Sequence, residues 1–300
     1  MSRPNQRHGP AEPLPSKSAA STLSCTIQGF PKEHRESRLS SPISCTPALS
    51  QNETGQTAEN DKTPRHTQAQ PLGGGFYVLC DEIHRFGIDA LLLAWFASPR
   101  SNDRVCDLGT GCGILPILWA RDRLARKCDA VELQPEAAAL VQQAITQQGL
   151  TAKIQCHCAD LRQLEGILPA GGFDLVTCNP PFYPVTSGKL ASRQELAIAR
   201  QEVCCTLEDA VQSAARLLRP GGRFCLCHRP ERLCDVMSSL RAASLEPKRM
   251  RLVAPRRGES PFLVLVEGKR NARPSLQVED AMILEDEPWA SLFGAGAMLS

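Results

Sequence analysis

Val105-Cys106-Asp107-Leu108-Gly109-Thr110-Gly111-Cys112-Gly113-Ile114-Leu115-Pro116-Ile117-Leu118-Trp119-Ala120 decides how this chain is read. The stretch begins apolar, reaches a carboxylate at Asp107, passes glycines at 109, 111 and 113, and turns apolar with helical spacing. That order predicts a strand, a tight turn and a helix, the opening of a βαβ unit. Glycine has no Cβ, so a nucleotide-like ligand can approach the backbone closely there. Dinucleotide sites space their glycines as G-x-G-x-x-G. Here the order is G-x-G-x-G, and Ile114 stands where that pattern needs its third glycine. Asp107 lies two residues before the first glycine, where a carboxylate repels a pyrophosphate and attracts a cation. The pattern disfavours a nicotinamide site and fits a cationic, adenosine-bearing cofactor.

Two further strands ending in acids follow. Cys128-Asp129-Ala130-Val131-Glu132 predicts a second buried strand, and Glu132 lies about 20 residues past the glycines, the distance at which a βαβ fold brings a carboxylate to ribose hydroxyls. Pro135–Gln148 predicts an amphipathic helix with Pro in its first turn and Gly149 as its stop. Lys153–Asp160 predicts a third strand, closed by Asp160. Carboxylates at the carboxyl edge of a parallel sheet line the ligand crevice, so Asp107, Glu132 and Asp160 are expected on one cleft.

A fourth strand, Phe173–Cys178, runs into Asn179-Pro180-Pro181-Phe182-Tyr183. The two prolines fix the backbone and remove two donors, which leaves the Pro180 carbonyl free to accept. Asn179 offers a side-chain oxygen beside it and Phe182 a flat face. Together they make a cradle for a planar NH₂ group, with stacking on Phe182 contributing about 1–3 kcal/mol for a base. Residues 184–201 read as a substrate loop carrying Lys189, Arg193 and Arg200. Beyond it come a helix over Glu202–Leu218, a turn at Arg219–Gly222, a strand over Arg223–His228 and a helix over Glu231–Ala243. Strands near Lys248–Val253 and Phe262–Glu267 are close enough for an antiparallel hairpin. Upstream, residues 75–100 predict a short strand pair and then a helix with Asp89 in its first turn, where a carboxylate either complements the helix dipole or contacts the cofactor.

Asp-x-Gly-x-Gly-x-Gly after a strand resembles the first motif of class I S-adenosylmethionine-dependent methyltransferases. Asn-Pro-Pro-Phe after the fourth strand resembles the Asn-Pro-Pro-Tyr/Phe signature of the members that methylate amino groups. This resemblance implies a Rossmann-like α/β fold, with a seven-stranded sheet, helices on both faces and a terminal antiparallel hairpin. It implies S-adenosylmethionine as cofactor, bound by Asp107, Gly109, Gly111, Gly113, Glu132, Asp160 and Asn179, with Asp160 accepting from the adenine amino group. Asn179, Pro180, Pro181 and Phe182 would hold the accepting amine, and no metal is required.

Arg85–Ala94, Ile198–Glu202, His228–Leu233, Pro247–Leu252 and Leu265–Gly268 are similar, more narrowly, to the bacterial tRNA1(Val) adenine-37 N6-methyltransferases. That likeness spans residues 75–286 and implies an RNA substrate, of tRNA type, and a cytoplasmic enzyme. Two positions depart from the family's pattern: Gln201 stands where relatives usually carry His, and Phe182 where they more often carry Tyr. The same cradle also serves guanine N2 in RNA or glutamine N5 in a protein. A non-catalytic protein that binds the cofactor and RNA is the rival from another class.

Composition sets the outer limits. Residues 1–74 are rich in Ser, Thr, Pro, Gln and Asn without an apolar run, so they cannot offset chain entropy by burial and are expected as a disordered tail. The methyltransferase domain is expected over residues 75–288 and a short tail over 289–300. No run approaches the roughly 20 apolar residues of a membrane span, and the longest is Ala90–Ala97. The 14 cysteines contain no Cys-x-x-Cys pair, which favours buried, reduced thiols over a zinc site. The tail carries 8 Lys/Arg and 6 Asp/Glu, leaving 26 of each for the remainder, so net charge does not announce nucleic-acid binding. Locally, Lys248, Arg249, Arg251, Arg256, Arg257, Lys269, Arg270 and Arg273 face only Glu259 and Glu267 between Pro247 and Arg273, a strip that could hold phosphates.

Overall fold

The structure, a computed structural model, describes residues 66–180 and 205–286. The chain opens on a hairpin, β1 (Gln68–Gly73) and β2 (Phe76–Cys80), followed by α1 (Ile88–Ala97). Strand β3 (Arg104–Leu108), helix α2 (Ile114–Arg121), β4 (Lys127–Glu132), α3 (Pro135–Gln147), β5 (Ile154–Cys158) and β6 (Phe173–Cys178) come next. After residue 204 lie α4 (Leu207–Leu217), β7 (Leu218–His228), α5 (Leu233–Ala242), β8 (Leu245–Ala254) and β9 (Leu263–Arg270), then the two-residue strands β10 (Gln277–Val278) and β11 (Met282–Ile283).

Among the described residues the main sheet runs β10-β8-β9-β7-β6-β3-β4-β5, with β11 also on β8. Strands β3 to β7 are mutually parallel, while β9 lies antiparallel to both β7 and β8. The chain starts in the middle at β3, moves out through β4 and β5, then returns to β6 on the other side. That reversal opens a crevice at the carboxyl ends of β3 and β6, where open α/β sheets bind ligands.

Alternation along the strands divides the core into two clusters. Val105, Cys128, Ala130, Leu175, Cys225 and Cys227 pack with α1, α2 and α3, whereas Cys106, Leu108, Val131, Val176, Phe224 and Leu226 pack with α4 and α5. The seven expected strands, β3 to β9, are therefore present with helices on both faces and a closing antiparallel hairpin, within a sheet of nine strands among the described residues. No disulfide joins two cysteines among the described residues; Cys225 and Cys227 are buried as expected, whereas Cys158 and Cys234 are exposed.

Several boundaries differ from expectation, and Arg219–Gly222, read as a turn, lies within β7. Gln68–Gly73 is a strand although it lies inside the span read as a polar tail; residues 1–65 lie outside the described residues. Polar composition hid it because β1 buries Leu72 alone, and the hairpin is held from outside. Tyr77 N donates to Gln148 Oε1 at 3.0 Å and Gln148 Nε2 donates back to the Tyr77 carbonyl at 2.9 Å, so the C-cap residue of α3 serves as a strand partner for β2. Helix α4 starts at Leu207 rather than Glu202, because Thr206 and Asp209 form a capping box that stops it there. The weakly patterned segment after residue 275 adds β10 and β11 to the edge of β8.

Candidate active site

A cavity of about 500 Å³ occupies the crevice at the carboxyl edge, within the range of small-molecule and cofactor sites. Its walls come from the turn after β3 (Gly109, Thr110, Gly111, Cys112), the end of β4 (Glu132, Leu133, Gln134), the segment after β5 (Ala159, Asp160, Leu161) and the end of β6 (Asn179, Pro180). Residues preceding and opening α1, among them His84, Arg85, Gly87 and Asp89, form the remaining wall. Asp107, Glu132 and Asp160 thus meet Asn179 on one cleft, as the sequence predicted.

The three acids are held differently. Asp107 is 2% exposed. Thr177 Oγ1 donates to its Oδ1 at 2.6 Å and Thr110 Oγ1 to its Oδ2 at 2.7 Å. Burial and the neighbouring Glu132 charge outweigh those two hydroxyls and push the Asp107 carboxyl up to about 6. Glu132 accepts from the backbone N–H of Gly111 at 2.8 Å and of Gln134 at 2.9 Å, which ties β4 to the glycine turn, and burial raises its pKa despite those donors. Neither carboxylate is paired with Lys or Arg among the described residues. Asp160 instead grips Arg162, whose guanidinium and backbone N–H hold its carboxyl below the usual range.

Two buried carboxylates without a Lys or Arg partner among the described residues, both pushed up by burial and Asp107 also by the Glu132 charge, with His84 opposing the rise at Glu132, form a wall that a cation would relieve. Gly109 and Gly111 line the same cavity with φ of +67° and +58°, and a Cβ at either would stand in open space. These observations fit S-adenosylmethionine. Gly113 belongs elsewhere: it caps α2 at φ +77°, does not line the cavity, and a Cβ there would lie 3.0 Å from Val141 Cγ1. Its role is to let α2 pack closely against α3.

At the other end of the cleft, Asn179 Nδ2 donates to Asp89 Oδ2 at 2.8 Å, and the Cys227 thiol donates to Asn179 Oδ1 at 3.0 Å. The Pro180 carbonyl has no donor among the described residues, in line with its expected role as an acceptor. Pro181 and Phe182, and with them Gln201 and the loop at 184–201, lie outside the described residues. Asp89 joins α1 to the corner of β6 from the first turn of its own helix, and it lines the cavity.

Several residues that build the site escaped the sequence reading. His84 is buried, with Nδ1 3.0 Å from Asp81 Oδ2 and Nε2 3.2 Å from Gln134 Oε1. Thr177 sits directly opposite Asp107 in the β3–β6 register. Only the strand alternation of β6 could have flagged Thr177; nothing local marks His84 or Gln134.

The basic strip is a correction. Arg249 pairs with Glu267 at 3.0 Å and Glu279 at 3.3 Å, and stacks 4.0 Å over the Phe96 ring. Arg251 pairs with Glu279 at 2.7 Å and stacks on Trp95. Arg256 is paired with Glu259 and Arg257 with Asp286. Four of the eight basic residues are thus paired with carboxylates, and Arg249 and Arg251 clamp α1 to the sheet instead of facing phosphate, whereas Lys248, Lys269, Arg270 and Arg273 have no carboxylate partner among the described residues.

An open, mostly parallel sheet with helices on both faces, a glycine turn after its central strand and acids on the neighbouring strand ends defines a class I S-adenosylmethionine-dependent methyltransferase. Over residues 87–239 the chain matches the methyltransferase small domain family, and it belongs to that family. It is 27% identical over 61% of its length to the tRNA1(Val) (adenine(37)-N6)-methyltransferase of Parabacteroides distasonis, covering 76% of that protein. With the tRNA1(Val) (adenine(37)-N6)-methyltransferase of Tolumonas auensis it shares 28% identity over 67% of its own length and 82% of the relative's. Among solved structures, a predicted O-methyltransferase from Agrobacterium tumefaciens superposes with a TM-score of 0.55 at 23% identity, covering 71% of this chain and 98% of that one, which bears on the fold alone. Among the described residues no helix is long and apolar enough to cross a membrane, and no group of three or more His, Cys, Asp or Glu could hold a metal ion.

Proposed function

We propose that this chain methylates the exocyclic N6 amine of an adenine in RNA, with tRNA as the substrate type. The observation that carries the reading is that Asn179 and Pro180 line the same cavity as Asp107 and Glu132. S-adenosylmethionine, held by Asp107, Glu132 and the glycine turn, would supply an electrophilic methyl to the amine lone pair, with the displaced electron pair kept on sulfur and the surplus amine proton passing to water.

The chain's own residues do the rest. Asp107 and Glu132 would provide the negative wall for a cationic cofactor, and Glu132 would accept from its ribose hydroxyls. Asp160, which lines the cavity with Leu133 and Leu161, would border the cofactor's adenine. An exocyclic amine is a poor nucleophile because its lone pair is delocalised into the ring. Two acceptors, Asn179 Oδ1 and the Pro180 carbonyl, would draw its N–H groups aside and turn the lone pair towards the methyl, and holding reactants in line accounts for much of such an acceleration. The target base must be unstacked to enter, where Phe182 would stack on it.

Adenine N6 is preferred over guanine N2 or glutamine N5 because the curated relatives named above carry an adenine-N6 activity in their names. The test is incubation with methyl-labelled S-adenosylmethionine and, separately, total RNA or total protein, followed by digestion. Label in N6-methyladenosine is the expected result; label in N2-methylguanosine or in N5-methylglutamine would overturn the reading.

A further inference from the structure

The structure assigns to Asp89 the task of setting the orientation of Asn179, so that the amide oxygen rather than the amide nitrogen meets the substrate amine. The assignment rests on the reading that Asn179 Oδ1 accepts from that amine. An asparagine side chain can occupy either of two flipped positions, and only one leaves an acceptor facing the target. A carboxylate only accepts, whereas the amide NH₂ only donates. Asp89 Oδ2 at 2.8 Å from Asn179 Nδ2 therefore selects one of the two positions. The buried Cys227 thiol already donates to Oδ1 at 3.0 Å, so the substrate amine would use the second lone pair of that oxygen. Burial, with the Asp89 charge nearby, raises the Cys227 pKa, so it remains a thiol and a donor. Both partners point to the same orientation.

The local sequence is built around this contact. Asp89 lies in the first turn of α1 yet hydrogen-bonds a residue 90 positions away, at the tip of β6. Gly87, the N-cap of that helix, lies so near that a Cβ would stand 2.3 Å from Asp89 Oδ1. Its φ of −108° suits any residue, so the requirement for glycine is space for the carboxylate and not backbone freedom. An acceptor-only group on the NH₂ end also polarises the amide, which makes Oδ1 a stronger acceptor for the substrate. Asp89 acts through Asn179 and is a positioning residue.

The full-length enzyme, with total tRNA as methyl acceptor and S-adenosylmethionine at saturation, tests this. Asp89→Ala is expected to lower kcat by about 10- to 100-fold, the scale of a reacting group displaced by about 1 Å. Asp89→Asn, which keeps an acceptor for Nδ2, should restore most of that loss. Gly87→Ala, which displaces the carboxylate without removing it, should reproduce most of the loss. In an Asn179→Ala background Asp89→Ala should add nothing; a multiplicative further loss at saturating cofactor would overturn the assignment. A second readout does not depend on the identity of the substrate. In protein labelled with ¹⁵N-asparagine, the Asn179 side-chain NH₂ pair should move in Asp89→Ala and stay near its position in Asp89→Asn. An unmoved pair in Asp89→Ala overturns the contact itself. Moved resonances together with an Asn179→Ala enzyme of undiminished kcat would instead refute the role given to Asn179.

Discussion

Two charged regions of this protein look alike in sequence and are opposite in structure. On the cleft, Asp107 and Glu132 are buried carboxylates held by hydroxyls and backbone N–H groups, without Lys or Arg partners among the described residues. On β8, Arg249 and Arg251 are arginines whose charges are met by Glu267 and Glu279 and whose guanidinium planes rest on Phe96 and Trp95. The first region is left with charge to spend on a ligand; the second has already spent it on the fold. A cluster of charge thus points to a partner only where the structure leaves it uncompensated.

The comparison breaks most sharply at Glu132. Glu132→Ala removes a negative wall of the cavity and frees the Gly111 N–H it holds, so cofactor affinity by calorimetry should fall by about 30-fold or more, at roughly 1.4 kcal/mol per tenfold. An unchanged affinity would put the cofactor elsewhere. A smaller effect is expected from pH. Asp107 is raised from 3.8 to about 6, chiefly by burial, so it loses its charge as pH falls through 6. A cation then loses an attraction, and affinity at pH 5 should be about tenfold below that at pH 7. The same shift has the reverse sign for the cofactor-free fold: the native state holds its proton more tightly than the unfolded chain, so this group's contribution weakens as pH rises from 3.8 to about 6. A flat affinity profile would show that Asp107 does not titrate against the cofactor.

In the paired region the effect falls on stability and not on the cofactor. Arg249 is about a quarter exposed, so its loss is milder than that of a fully buried ion pair. Arg249→Ala should cost about 2 kcal/mol, seen as a melting temperature lower by about 5 °C, because Glu267 and Glu279 each lose a partner. RNA binding per folded molecule should hardly change. A loss of RNA affinity without a loss of stability would return this strip to the substrate.

The sequence made the cofactor half of the sheet readable because its signals are local. The strand ending in Asp107, the glycines, and the acids at Glu132 and Asp160 each follow from a few neighbouring residues, and the parallel topology brings them together. What it hid depends on distance along the chain. Asp89 meets Asn179 and Tyr77 meets Gln148 across 90 and 71 positions, and no periodicity encodes such contacts. Strand β1 was missed since it buries one residue, and the arginines of β8 were misread since Glu279 lies in a segment without a clear pattern. Gly113 shows a different error: a glycine inside a ligand motif that serves the helix behind it.

The central claim is a division of labour along one cleft, with Asp107 for the cofactor and Asn179 for the amine. Calorimetric titration of S-adenosylmethionine into Asp107→Ala and Asn179→Ala, side by side at pH 7, tests it directly. The account predicts that Asp107→Ala binds at least about 100-fold more weakly, a difference of roughly 2.8 kcal/mol, while Asn179→Ala keeps the wild-type affinity within about threefold and loses kcat. Equal affinities in the two variants would contradict it.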